Sequence, residues 1–125
     1  MGVIGKKSIG QLPVYGELRL LYSQFALSTK KAPINIKRGA LAEAEHAIIQ
    51  AMESVSFAAE SASHSERLML VRDALRTLRF VEVRVRTLRD LGFLPKKGYA
   101  AIMLHEESTT RQLTGWLKKL EKEGE

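Results

Sequence analysis

Leu41, Ala44, Ile48, Ala51, Val55, Ala58 and Ala62 follow one another at alternating spacings of three and four residues. A mean spacing of 3.5 keeps one stripe of an α-helix turned toward a neighbour that runs nearly parallel to it. Strands need alternation at period two, and no stretch of this chain shows it between turn signals. The sequence therefore predicts an all-α fold, made by packing long helices side by side. Every second residue of the seam is Ala, so the neighbouring helix can approach closely.

The same reading yields three more helices. After Leu12, Val14, Leu18, Leu21 and Phe25 recur at four, three and four, and Pro13 suits a first turn, where its missing N–H costs nothing. That helix fades near Ser28-Thr29, ahead of Pro33, because a residue preceding proline is pushed out of the α region. The Ala-rich helix follows Asn35 or starts a few residues later. Ser63-His64-Ser65-Glu66 has the spacing of a capping box and opens the third helix. Val71, Leu75, Leu78, Val81, Val85 and Leu88 form its stripe, with Leu68 and Ala74 beside it. Gly92 predicts a left-handed cap and Pro95 a restart. The fourth helix carries Tyr99, Ile102, Met103, Leu113, Trp116, Leu117 and Leu120 around a polar middle, His105 to Gln112. Short turns between such helices predict one up-down-up-down four-helix bundle over residues 12–125. Residues 1–11 show no period and read as a weakly basic arm.

Charge narrows the function. Twenty Lys and Arg against 14 Asp and Glu give a net charge of +6 and a pI near 9.8. Half of the bases are Arg, whose planar fork suits phosphate and carboxylate. The excess points to an acidic partner such as nucleic acid. No cysteine is present, which excludes a disulfide scaffold and a thiol nucleophile and points to a cytoplasmic protein. No apolar run approaches the ~20 residues that cross a bilayer, so no membrane partner is expected.

Chemistry has little to work with. A di-metal site in a bundle needs two Glu-x-x-His pairs, and only Glu43-x-x-His46 is present; His46 reads as a surface residue and His64 as a turn residue. The serines between Ser54 and Ser65 lie outside any nucleophile elbow, and no phosphate-cradling glycine loop occurs. His105, Glu106 and Glu107 are neighbours on a helix, diverge by ~100° each and cannot converge on one atom. The expectation is a protein with no metal, no cofactor and no catalytic activity.

The third helix departs from this blandness. At 100° per residue, Arg72, Arg76, Arg79 and Arg86 fall within about 80° of one another, beside the apolar stripe. Arg72, Arg76, Arg79, Arg84 and Arg86 are the candidate binding surface, with Lys96, Lys97, Arg111, Lys118 and Lys119 adding to its field. The alternative is structural: the same arginines meet Glu43, Glu53 or Glu60 of the acidic second helix, in this subunit or the next. Gly115 and Trp116 read as structural, Trp116 as core and Gly115 as a point of close helix approach.

Several of these segments together resemble a known family. They are Leu12-Pro13-Val14-Tyr15, Leu75-Arg76-Thr77-Leu78-Arg79-Phe80, Leu88-Arg89-Asp90-Leu91-Gly92-Phe93-Leu94 with Lys97-x-Tyr99, and Arg111-Gln112-Leu113-Thr114-Gly115-Trp116-Leu117. The chain is similar, over about residues 12–120, to the four-helix-bundle family containing the accessory variability determinants of diversity-generating retroelements and the 23S rRNA intervening-sequence proteins. Many members carry a second glycine where this chain has Thr114. The resemblance implies a homopentameric barrel with a basic surface that binds a reverse transcriptase and template RNA or cDNA, supports mutagenic retrohoming and does not itself polymerise. An intervening-sequence-type relative would instead be a structural or interaction protein without a nucleic-acid role. The +6 charge and the arginine stripe favour the first expectation.

Overall fold

The computed structural model describes residues 12–124; the arm expected over residues 1–11 lies outside them. Helix α1 spans Pro13–Ser28, α3 His64–Asp90 and α4 Lys96–Glu123. Between α1 and α3 runs α2, one right-handed run in three parts: Ile34–Ile36, a π-helical turn Lys37–Leu41, and Ala42–Glu60. Each helix packs on its sequence neighbour, and α1 closes the square against α4. This is an up-down-up-down four-helix bundle.

The core is the set of apolar stripes. Val14, Leu18, Leu21 and Phe25 of α1 are buried together with Leu41, Ala44, Ile48, Ala51, Val55 and Ala58 of α2. From α3 come Val71, Ala74, Leu78, Val81, Val85 and Leu88, and from α4 Ile102, Leu113 and Leu120. Several expected positions differ: Tyr99, Met103, Trp116 and Leu117 of α4 are only half-buried. Ala62 is exposed, because α2 ends at Glu60 before the seam reaches it. Leu75 is only half-buried, at the edge of the stripe that opens on the α3–α4 groove.

Lys37–Leu41 is π-helical, and Lys37 and Arg38, four and three residues before buried Leu41, are exposed.

The connections are held by specific caps. Thr29 donates both its backbone N–H (3.1 Å) and its hydroxyl (2.7 Å) to the Phe25 carbonyl, closing α1. Ser63 caps α3 by accepting from the Glu66 N–H at 3.2 Å, but the return half of the capping box comes from elsewhere: the Ser63 N–H donates to the Ser61 hydroxyl. Arg67 reaches back to the Ala58 and Ser61 carbonyls at the end of α2. After α3, Gly92 sits at φ 84°, with Phe93 N–H donating to the Leu88 carbonyl and Gly92 N–H to that of Arg89. That pair of bonds is a Schellman cap, which favours glycine at the left-handed position.

One close approach matters. A Cβ at Gly98, in the first turns of α4, would lie 2.8 Å from the Ser28 Cβ, so α1 and α4 touch there through a glycine. Gly115 makes no such contact: a Cβ there would meet nothing within 4 Å, and the residue is exposed. The expectation of a close helix approach at Gly115 does not hold within the subunit. Trp116, expected as core, is half-buried at its margin.

Candidate basic interface

The α3 arginines divide according to which neighbour supplies an acid. Arg72 reaches across to α4 and pairs with Glu121 at 3.1 Å. Arg84 leans the other way, to Glu43 of α2 at 3.0 Å, with its guanidinium 4.7 Å from the Phe80 ring centroid. Arg86 pairs one turn back with Glu82 at 2.9 Å, and Tyr99 first and Glu82 second hold it further toward its charged form. Arg89 pairs with Asp90 and stacks 4.4 Å from the Tyr99 ring centroid. Arg67 is spent on capping α2.

Arg76 and Arg79 are different. Both are exposed and form no ion pair among the described residues. They border a cleft of about 400 Å³ between α3 and α4. Its inner wall holds Glu106, which is 4% exposed and accepts a 3.0 Å bond from the Thr110 hydroxyl. Burial pushes the Glu106 carboxyl above its ordinary value; Glu82 and Glu107 add to the rise, while Thr110 and Arg86 oppose it. By residue type, Glu106 belongs to the polar middle of the helix, His105 to Gln112. The signal was present in its register: Ile102, Glu106, Thr109 and Leu113 step by four, three and four, and all four are buried.

The five arginines therefore differ in their surroundings. Arg84 belongs to the α2 side, where it meets Glu43. Arg111, Lys118 and Lys119 are exposed on α4. Because α3 and α4 run antiparallel, Lys118 and Lys119 lie toward the Arg72–Glu121 end of the groove, and Lys96 and Lys97 at the opposite end of the bundle. There they join Lys30 and Lys31 of the α1–α2 connection and Lys37 and Arg38 in the π turn of α2, a grouping the linear stripe did not reveal. Its signal is negative: no Asp or Glu occurs between Glu17 and Glu43, nor between Asp90 and Glu106.

The remaining candidates for chemistry are dispersed. His105 turns to α1, with its Nδ1 3.0 Å from Glu17 Oε1, Glu106 turns inward, and Glu107 is exposed. His46 is exposed, and Glu43 is taken by Arg84. Among the described residues no three His, Cys, Asp or Glu side chains gather as metal ligands. None of the described helices is long and apolar enough to cross a membrane. No protein-family model matches the chain, and no curated protein aligns with it significantly.

Proposed function

We propose that this chain is a non-catalytic accessory protein that binds a reverse transcriptase and the nucleic acid it copies, in the manner of the accessory variability determinants it resembles. The observation that carries the reading is the pair Arg76 and Arg79, which lack an acidic partner while the arginines around them have one. Two forked cations on a rigid helix suit phosphate oxygens. Such contacts position a backbone without reading its bases, so binding is salt-dependent and tolerant of sequence. Lys118, Lys119 and Arg111 extend the field along α4. The ligand is the template RNA or cDNA of a diversity-generating retroelement in the cytoplasm, and a homopentameric ring would repeat each modest site around its circumference.

A second reading rests on the paired arginines. Arg72, Arg84, Arg86 and Arg89 each have an acid within ion-pair distance, which favours a structural or interaction protein of the intervening-sequence type.

Anisotropy titration of a labelled single-stranded RNA separates the two. Arg76→Glu with Arg79→Glu is expected to weaken binding by about tenfold or more at low salt, with helicity unchanged. The slope of log affinity against log salt should shrink by roughly 1 to 1.5, since each phosphate contact to a single strand contributes ~0.7. Wild-type binding that is absent, or indifferent to these substitutions, rejects the first reading.

A further inference from the structure

We propose that the lysine-rich end of the bundle is a second docking site, for an acidic peptide segment of a partner protein anchored by one bulky apolar side chain. The site is a cleft of about 720 Å³ between the α1–α2 connection and the start of α4. Leu27, Pro33 and Phe93 supply apolar walls, and Lys30, Lys31 and Lys97 supply the charge. Leu27 is 66% exposed and lines the cleft beside these three lysines.

Folding does not account for these lysines. None of the three forms an ion pair among the described residues, and the nearest acids along the chain, Asp90 and Glu43, are held by Arg89 and Arg84. Lys96 and Lys97 also stand in the first turn of α4, the positive end of the helix dipole, where a cation is unfavourable. Lys37, Arg38 and Lys96 at the same end add to the potential. The cleft thus combines an uncompensated positive field with apolar walls, and the complement is negative charge flanking a hydrophobic group.

A peptide fits this better than a nucleic acid does. Single strands are gripped by exposed aromatic faces on which bases stack, and the one ring here, Phe93, is half-buried against the core. Lysines offer point charges rather than the arginine fork that recurs in phosphate recognition. The walls are also preformed. The Schellman cap at Gly92 fixes one side and the Gly98–Ser28 contact the other, so little ordering cost attends binding. The site is separate from Arg76 and Arg79, and its existence does not depend on the retroelement reading.

The test is anisotropy of a fluorescein-labelled peptide, Asp-Glu-Asp-Phe-Asp-Glu-Asp, titrated with the full chain. Binding is expected, weakening about tenfold when Phe in the peptide becomes Ser, and about tenfold on Lys30→Glu with Lys31→Glu. Leu27→Asp, at an exposed position that leaves the core untouched, is a second variant expected to lose binding even if the lysine variant is poorly folded. Arg76→Glu with Arg79→Glu should bind the peptide as wild type does. No binding at about 1 mM, or equal binding of the Phe and Ser peptides, overturns the proposal. So does a uridine heptamer that outcompetes the peptide and loses its own affinity with Lys30→Glu and Lys31→Glu, which would make the cleft a nucleic-acid site.

Discussion

Gly98 and Gly115 are both helical glycines of α4, yet they should answer the same substitution with opposite signs. Alanine improves helix propensity by up to ~1 kcal/mol over glycine. At Gly115 nothing opposes that gain, since the new methyl group meets open space. Gly115→Ala should therefore raise stability by about 0.5–1 kcal/mol. At Gly98 the methyl group arrives 2.8 Å from the Ser28 Cβ, and forcing α1 and α4 apart costs about 1–3 kcal/mol. Urea melts of the two variants check the contrast, and Ser28→Gly should rescue Gly98→Ala. Glu106 offers a second residue-scale prediction. Its folded-state carboxyl titrates above its unfolded value because burial disfavours the charge. Between those two values the folded chain holds more protons than the unfolded one, so stability falls as pH rises through the window and levels off above it. Glu106→Gln removes that dependence while leaving an acceptor for Thr110. Its stability relative to wild type should grow with pH from the ordinary glutamate range upward. A difference that stays flat across that range would mean the carboxyl is better solvated than its burial implies.

Helices were legible in the sequence because burial and period report the same thing. The stripe Val14, Leu18, Leu21, Phe25 is buried to the last member, and both the Ser63 cap and the Gly92 cap fall where residue type placed them. What escaped was register overruled by residue type, as at Glu106 and Thr109, and a departure from regular α-helix, as in the π turn before Ala42. The arginine stripe was half legible. A helical wheel places Arg72, Arg76, Arg79 and Arg86 on one side of α3, but the acids that neutralise Arg72 and Arg84 stand on α4 and α2. Only the partner of Arg86, one turn away, could be read locally. Arg67 makes the same point at an element's end. It counts as one more cation in the sequence, yet in the fold it satisfies carbonyls that α2 leaves without intrahelical partners. Hydrogen bonds from a charged donor are each worth about 1.5–3 kcal/mol. Arg67→Ala should destabilise the chain by about that amount, and Arg67→Lys should recover only part, since lysine lacks the fork. Equal melting midpoints for all three proteins would remove the capping role.

At the scale of the molecule, the four-helix square leaves large apolar side chains uncovered on several sides, and two of these groups are unlike. Leu20 of α1 and Leu104 of α4 are exposed and form the first group. A groove of about 270 Å³ between α1 and α2 is lined by Tyr15, Tyr22, Met52 and Phe57, the last 58% exposed. Patches on adjacent sides cannot satisfy each other within one subunit, but the first patch of one copy can seat on the second patch of another. That contact is heterologous, and a heterologous contact repeated from copy to copy yields a ring where its rotation closes, which is what the proposed pentamer would need. Leu104→Glu spoils the first patch and Phe57→Glu the second, each at an exposed position with no core contact to lose. Either variant alone should sediment as a 14.0 kDa monomer with its helicity intact. Mixed in equal amounts they should form a two-subunit species and stop there, because only the intact groove of one and the intact leucines of the other can meet. A two-fold symmetric dimer behaves differently: each variant then lowers affinity by itself, and mixing restores no defined complex. Wild-type protein that stays at 14.0 kDa at micromolar concentration rejects the assembly.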